Sequence, residues 1–208
     1  SLRDWQTAAQ SIELVFTGGC KGHAAHCAPG ESNYREARCS VVSVAPLGSS
    51  TIFNVSIAQP CWSNARYSGC SVPSYVENVY DLTVQPTAEP VAPGSFFHDS
   101  AAGIVRYAPR LGETSPSSVD AVLPLVEVLV HGADVSAVSF SDLTFEHATW
   151  LLPSTPAGFV DDQAGTHVLC RRTSRNDYCP LIPVPGNLHF ERSKSVSFTN
   201  CSFEHLGA

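Results

Sequence analysis

The stretch Val138-Ser-Phe-Ser-Asp-Leu-Thr-Phe-Glu-His147 recurs 58 residues later as Val196-Ser-Phe-Thr-Asn-Cys-Ser-Phe-Glu-His205. Six of the ten positions are identical, and the other four are exchanges between similar residues. Apolar and polar residues alternate on either side of a polar corner at Ser141-Asp142, which predicts a strand, a turn and a second strand. A unit this short cannot bury its apolar face alone, so the repeat predicts two copies stacked in parallel, as rungs of a β-solenoid.

The composition favours an all-β protein. Only 15% of the 208 residues are charged, 43% are hydrophobic, and there are 15 prolines and 14 glycines. These values are typical of a loop-rich β fold with enough apolar material for a core. The net charge of −7 argues against nucleic acid and anionic membrane surfaces as partners. No apolar run approaches the roughly 20 residues that span a bilayer, and no cofactor is expected.

The cysteines indicate an oxidising, extracellular setting. The chain has eight cysteines and two glycosylation sequons, at Asn54 and Asn200, which together predict a secreted glycoprotein. Asn54 is the better sequon, because Asn200 matches Asp142 at the corner of the repeat, where such side chains bond to nearby backbone. The chain contains no Met and no signal peptide, so we expect a processed or partial product.

Proximity in the sequence suggests three local disulfides but does not fix the pairing. Cys20 and Cys27 could also form a zinc site with two histidines between them, but four ligands within eight residues are crowded for structural zinc. We therefore expect a disulfide and no metal there. Cys201 matches Leu143 and is expected to be a buried thiol. The candidate pairs are Cys20 with Cys27, Cys61 with Cys70, and Cys170 with Cys179.

The change in pattern along the chain predicts two domains. Residues 1–120 contain β-rich runs and a hairpin around Ser100, which predict a sandwich-like or barrel-like domain with disulfides. Residues 121–208 carry the repeat and are predicted to form the opening rungs of a parallel β-helix. An insertion at about 150–185, closed by Cys170 and Cys179, separates the two matched stretches.

The order of several motifs resembles the right-handed parallel β-helix proteins of carbohydrate metabolism, closest to the fucosidase- and xylanase-like glycoside hydrolases. The resemblance implies a right-handed β-helix, truncated at both ends, and a link to polysaccharides. The coils in which such enzymes keep their catalytic acids would lie after the second matched stretch, so the resemblance assigns no catalytic residue. The motifs are Ser74–Asn78, Gly94–Asp99, Gly103–Arg110, Val138–Trp150, Gly158–Gly165 and Phe203–Gly207.

Two pairs of acidic residues are candidates for glycoside cleavage, which needs two carboxylates. If the matched stretches stack, Glu146 and Glu204 lie one strand spacing apart, about 4.8 Å, close to the distance used by retaining enzymes. The alternative is that both are solvated surface residues. Asp161 and Asp162 form the second pair, for which a turn or a strand end is the alternative.

The histidines of the repeat, His147 and His205, are expected at the core or at a corner rather than at a metal.

The second matched stretch is followed by only three residues, so its strands are expected to expose unpaired backbone groups and apolar side chains. We call Val196, Phe198, Cys201 and Phe203 the assembly edge. It predicts a secreted structural or interaction module that self-assembles into a filament or binds further polypeptide there. The alternatives are the front part of a glycoside hydrolase, or a non-catalytic module that binds glycans through Trp62 and Trp150.

Overall fold

The structure, a computed structural model, describes residues 5–17, 36–48, 51–69, 72–79, 92–163, 165–174 and 176–207. Contacts divide the chain into two units: unit 1 comprises Ser1–Val119 and Leu152–Ile182, and unit 2 comprises Asp120–Leu151 and Pro183–Ala208. Strands dominate both units, which confirms the all-β prediction. In the described ranges, no helix is long and apolar enough to cross a membrane.

The regular elements are short, as the many turn-forming residues predict. The described part contains two α-helices, α1 (Trp5–Ala8) and α2 (Cys61–Tyr67). The strands are, in chain order, β1 (Glu13–Thr17), β2 (Glu36–Pro46), β3 (Phe53–Ile57), β4 (Tyr75–Glu77), β5 (Phe96–Asp99), β6 (Ile104–Tyr107), β7 (Val130–Ala133), β8 (Ser139–Ser141), β9 (Thr144–Glu146), β10 (Phe159–Gln163), β11 (Thr166–Val168), β12 (Leu181–Pro183), β13 (Leu188–Glu191), β14 (Ser197–Thr199) and β15 (Ser202–Glu204).

Unit 1 is built on a seven-stranded sheet in the order β12-β11-β10-β2-β1-β4, with β3 also paired to β2. The strand β2 pairs antiparallel with β1, β10 and β3. Burial alternates along β2 as far as Val41, where the pairing with β3 shifts in register between Val41 and Ser43. This irregularity turns Val44, rather than Ser43, into the core. Separately, β5 and β6 form the predicted hairpin.

The helix α2 covers the core of unit 1 and is bonded to its central strand. Its first residue, Cys61, forms a disulfide with Cys39 of β2, and both cysteines are fully buried. Ala65 packs into the same core as Phe16. The sequence did not predict α2, because seven residues are too short to show a helical pattern and Pro60 at its N-terminus offers no capping side chain.

The disulfide corrects one predicted pairing. Cys61 is bonded to Cys39 and not to Cys70, which lies outside the described residues, as do Cys20 and Cys27. The Cα atoms of Cys39 and Cys61 are 5.6 Å apart, which suits a disulfide. The two cysteines are close only because α2 packs on β2, so their separation in the sequence did not predict this pairing.

The segment inserted between the matched stretches completes the sheet of unit 1. Its strand β10 pairs with β2, and Arg172 donates a backbone hydrogen bond of 2.9 Å to Oδ1 of Asn64 on α2. Gly158 has a positive φ of 58°, and a side chain there would meet the carbonyl of Arg38 and Sγ of Cys61. Residues 152–182 therefore belong with residues 1–119, and the domain predicted at 1–120 is larger than expected.

Unit 2 consists of two stacked layers related by the 58-residue offset. Three strand pairs, β7 with β13, β8 with β14 and β9 with β15, are parallel and in register. An isolated parallel bridge joins Ser136 to Lys194 between the first two pairs. The matched stretches thus stack as predicted, and the pairing extends upstream of them to β7 and β13. We call residues 130–147 the first layer and residues 188–205 the second layer.

The corners between these strands repeat as faithfully as the strands. Four positions in each layer have a positive φ, between 47° and 58°, although none is glycine. The left-handed conformation is uncommon for such residues and is easiest for Asn and Asp. Its recurrence at the same offset shows that both layers follow one backbone path. The corner pairs are Asp134 with Arg192, Ala137 with Ser195, Asp142 with Asn200, and His147 with His205.

The prediction of a parallel β-helix is wrong. In the described part of the chain, the largest sheet is mostly antiparallel and each parallel sheet has only two strands, so there is no solenoid sheet. Two near-identical stretches indicate stacking, but they do not determine how many further strands join the stack. The prediction of a β-helix therefore assumed more parallel strands than the two matched stretches provide.

We expect the bond between Cys39 and Cys61 to contribute more stability than the bond between Cys170 and Cys179. Loop closure gives about 3 kcal/mol for a separation of 22 residues and less for one of nine. Thermal unfolding of the double variants Cys39→Ala/Cys61→Ala and Cys170→Ala/Cys179→Ala checks this. Equal losses, or a larger loss for the second variant, would show that loop closure does not determine the contributions of these two bonds.

Candidate functional site

The interior of unit 2 is a stack of aromatic rings. Parallel pairing in register places each side chain of the second layer above its match in the first. The rings of Phe140 and Phe198 stack at 5.0 Å, and those of Phe145 and Phe203 stack at 5.4 Å. Within each layer the two rings meet edge to face. These are the favoured geometries of aromatic pairs, so the stack stabilises the two layers together.

The assembly edge exposes the outer end of this stack. Phe198 is 37% exposed and Phe203 is 47% exposed, whereas their matches Phe140 and Phe145 are half-buried. The other two members of the edge, Val196 and Cys201, are half-buried. Every residue of β14 and β15 is exposed. The edge is thus an apolar surface bordered by strands that have one strand neighbour each among the described residues.

Polar pairs fix the register of the two layers. Arg192 donates to both carboxylate oxygens of Asp134, at 2.7 Å and 2.9 Å. These hydrogen bonds lower the pKa of Asp134, and the same carboxylate raises the pKa of Arg192. At another matched corner, Nδ2 of Asn200 donates to Oδ1 of Asp142 at 2.6 Å. The first layer therefore contributes acidic groups to both pairs and the second layer contributes the donors.

Histidines form two further columns. The rings of His147 and His205 stack at 5.0 Å, and those of His131 and His189 stack at 5.7 Å. The predicted corner position of His147 and His205 agrees with their positive φ values. Nε2 of His147 lies 3.9 Å from the carboxylate of Glu146. These columns continue the stacking pattern at the surface of the unit.

The predicted acidic pair in the repeat lies on neighbouring strands. Glu204 on β15 is in register with Glu146 on β9. Both are exposed, and half of the side-chain surface of Glu146 is open to solvent. The structure thus brings the two carboxylates together on a surface. Their role in catalysis stays a prediction.

The second acidic pair lies in unit 1. Asp161 pairs with His167 across β10 and β11, and Asp162 lies 4.0 Å from Nη2 of Arg172. His167 is only 2% exposed, and burial lowers its pKa. Arg172 also donates to Oγ of Ser68 at 3.0 Å. These contacts join α2 to the segment 159–182, so the pair is placed within the sheet rather than at a turn, and in a different unit from Glu146 and Glu204.

The remaining predicted positions are divided between the two units. Cys170 is bonded to Cys179, and Cys201 is a free, half-buried thiol. Asn54 is exposed on β3, whereas the amide of Asn200 is bonded to the first layer as described above. Glycosylation at both sequons stays a prediction.

Of the two tryptophans considered for glycan binding, Trp62 packs on Phe16 at 5.7 Å, and Trp150 is half-buried.

Sequence reasoning missed the upstream half of the layers. His131 and His189 are identical and have the same offset as the matched stretches, and this signal could have extended the repeat. The signal was weak because the residues that follow the two histidines differ. Gly132 has no side chain, and the ring of Phe190 occupies the space beside it.

Asn187 was also missed. It is 3% exposed, and its amide donates to the carbonyls of Glu127 and Thr149, which ties together the segments on either side of the first layer.

The chain matches no family model, no curated protein and no solved structure. Together with the antiparallel main sheet, this overturns the resemblance to the fucosidase- and xylanase-like β-helix proteins. The motifs that carried it were short.

We expect Asn187→Ala to lower the free energy of unfolding by about 1–3 kcal/mol, because the part-buried carbonyls of Glu127 and Thr149 lose the donor that the buried amide provides. Urea denaturation followed by circular dichroism measures the loss. Ser197→Ala is the control: Oγ of Ser197 lies 2.9 Å from Oγ of Ser139 at an exposed position. It should change stability by no more than about 0.5 kcal/mol. An Asn187 variant as stable as this control would show that the amide does not hold the first layer.

Proposed function

We propose that the protein is an extracellular structural module that assembles through the assembly edge. The observation that carries the proposal is the exposure of Phe198 and Phe203, whose matches in the first layer lie beneath a stacked ring. Strands that expose both apolar side chains and unpaired backbone groups readily pair with another chain. Binding a further β layer would cover the rings and satisfy those groups at once.

The chemistry of the chain fits an extracellular location. Two disulfides are present in the described residues, and such bonds persist in oxidising compartments. The proposal includes secretion and a glycan on Asn54. This side chain is exposed on β3, whereas Asn200 already uses its amide between the layers. Assembly by stacking would repeat a contact without closing it, which leads to filaments.

Glycoside cleavage is a second proposal, and only the register of Glu146 and Glu204 favours it. Two carboxylates on adjacent strands have a separation near that of retaining enzymes. Binding of glycans without cleavage is the related alternative and would rely on aromatic side chains.

Phe203→Lys should abolish assembly, because a charge at the centre of the assembly edge would be buried without a partner. Light scattering over a range of protein concentrations measures the mass. The matched control is Phe96→Lys, which alters a more exposed phenylalanine in unit 1 and should leave assembly unchanged. Circular dichroism checks that both variants fold. A wild-type chain that is monomeric at every concentration would refute the proposal.

If the second proposal holds, Glu204→Gln and Glu146→Gln should each slow the hydrolysis of fucosylated or xylan-type oligosaccharides by about 10²-fold or more, as expected for loss of an acid or base. Asp120→Asn, at an exposed carboxylate outside the layers, is the control and should have the wild-type rate. Release of reducing sugar is the measurement. Hydrolysis that is unaffected by either glutamate variant would remove this function.

A further inference from the structure

The two layers of unit 2 differ in charge at matched positions. The first layer carries Asp134 and Asp142 where the second carries Arg192 and Asn200. The second layer also has Lys194 opposite Ser136. The layers therefore have nearly the same backbone path and the same aromatic columns, with complementary polar groups at these corners and like charges only at Glu146 and Glu204 among the matched acidic positions.

This asymmetry determines which layers can stack favourably. A second layer placed on another second layer would be related to it by a two-fold axis, so the interface would gather Arg192 and Lys194 of both copies without Asp134. Two first layers in contact would likewise gather Asp134 and Asp142 of both copies without Arg192. Like charges in direct contact are unfavourable, and a guanidinium that meets a carboxylate in a two-point hydrogen bond is favourable. Only a first layer against a second layer reproduces the pairs seen within the chain.

Side-chain size gives the same preference. Gly132 in the first layer faces Phe190 in the second, and the ring would collide with any larger side chain at position 132. A first layer stacked on a second layer repeats this fit of a large residue over a small one. The aromatic columns would continue unchanged, because Phe140 and Phe145 match Phe198 and Phe203.

We propose that the partner at the assembly edge is a second copy of this chain, bound head to tail, with its first layer on the second layer of its neighbour in the same parallel register. Within the described residues each parallel sheet has two strands, so the first layer also has one edge without a strand partner. Each copy offers one edge of each kind, and the contact repeats along one axis. This inference rests on the assembly proposed above and specifies its partner, polarity and register.

Cross-linking between two different variants tests the register. Oγ of Ser139 and Oγ of Ser197 lie 2.9 Å apart within the chain, and the same two positions would meet between neighbouring copies. Ser139→Cys and Ser197→Cys are prepared as separate proteins, so that neither can link residue 139 to residue 197 within itself. They are mixed, assembled and treated with a short thiol-reactive cross-linker. Ser117→Cys, exposed in unit 1, replaces either partner as the control.

We expect a dimer in which residue 139 is linked to residue 197 only when the two variants are mixed, identified by peptide mapping. A dimer formed by Ser197→Cys alone through two copies of residue 197 would overturn the inference, because it requires two second layers in contact. Assembly by light scattering without a link between residues 139 and 197 would overturn it as well, while the proposed function would stand. If the mixture does not assemble at all, both the inference and the proposed function fail.

Discussion

The hydrogen bonds between parallel strands of two matched stretches determine the structure of unit 2. Ser197 donates its backbone N–H to Val138, and Ser202 donates to Leu143, each at 3.0 Å, which holds the two layers in register. Once the backbone is in register, every pair of identical residues must form a column. The stacked phenylalanines, the stacked histidines and the neighbouring glutamates all follow from this one constraint, whether or not a given column is favourable by itself.

The same constraint explains why the proposed surface lies where it does. In a column of two residues each ring covers one face of the other, and Phe198 and Phe203 are more exposed to solvent than Phe140 and Phe145. The polar pairs give the stack a direction, because Asp134 and Arg192 are not interchangeable. An apolar end favours the binding of another β layer, and the charges select which layer binds.

Unit 1 depends on contacts between residues far apart in the sequence. The strand β2 pairs with β10, more than a hundred residues later, and the first residue of α2 is bonded to Cys39. Arg172 and Asn64 connect the late segment to the helix. Several strands of this unit and its hairpin were recognisable locally, since alternation of apolar residues depends only on neighbours. The pairing partners were not, because alternation carries no information about which strand lies beside which.

The sequence by itself determined that this is a β-rich, disulfide-containing chain with two stretches that stack in parallel, because composition and a 58-residue repeat are both local, countable patterns. It also located the corner at Asp142 and Asn200, where short polar side chains tolerate a positive φ. Only the tertiary structure decided that residues 152–182 complete the first sheet, that Cys61 bonds to Cys39, and that the stack has two layers and no more within the described residues. The reason is physical, because each of these features depends on which distant surfaces pack together. A repeated stretch predicts how it pairs with its copy, but it does not predict how many further strands join the pair.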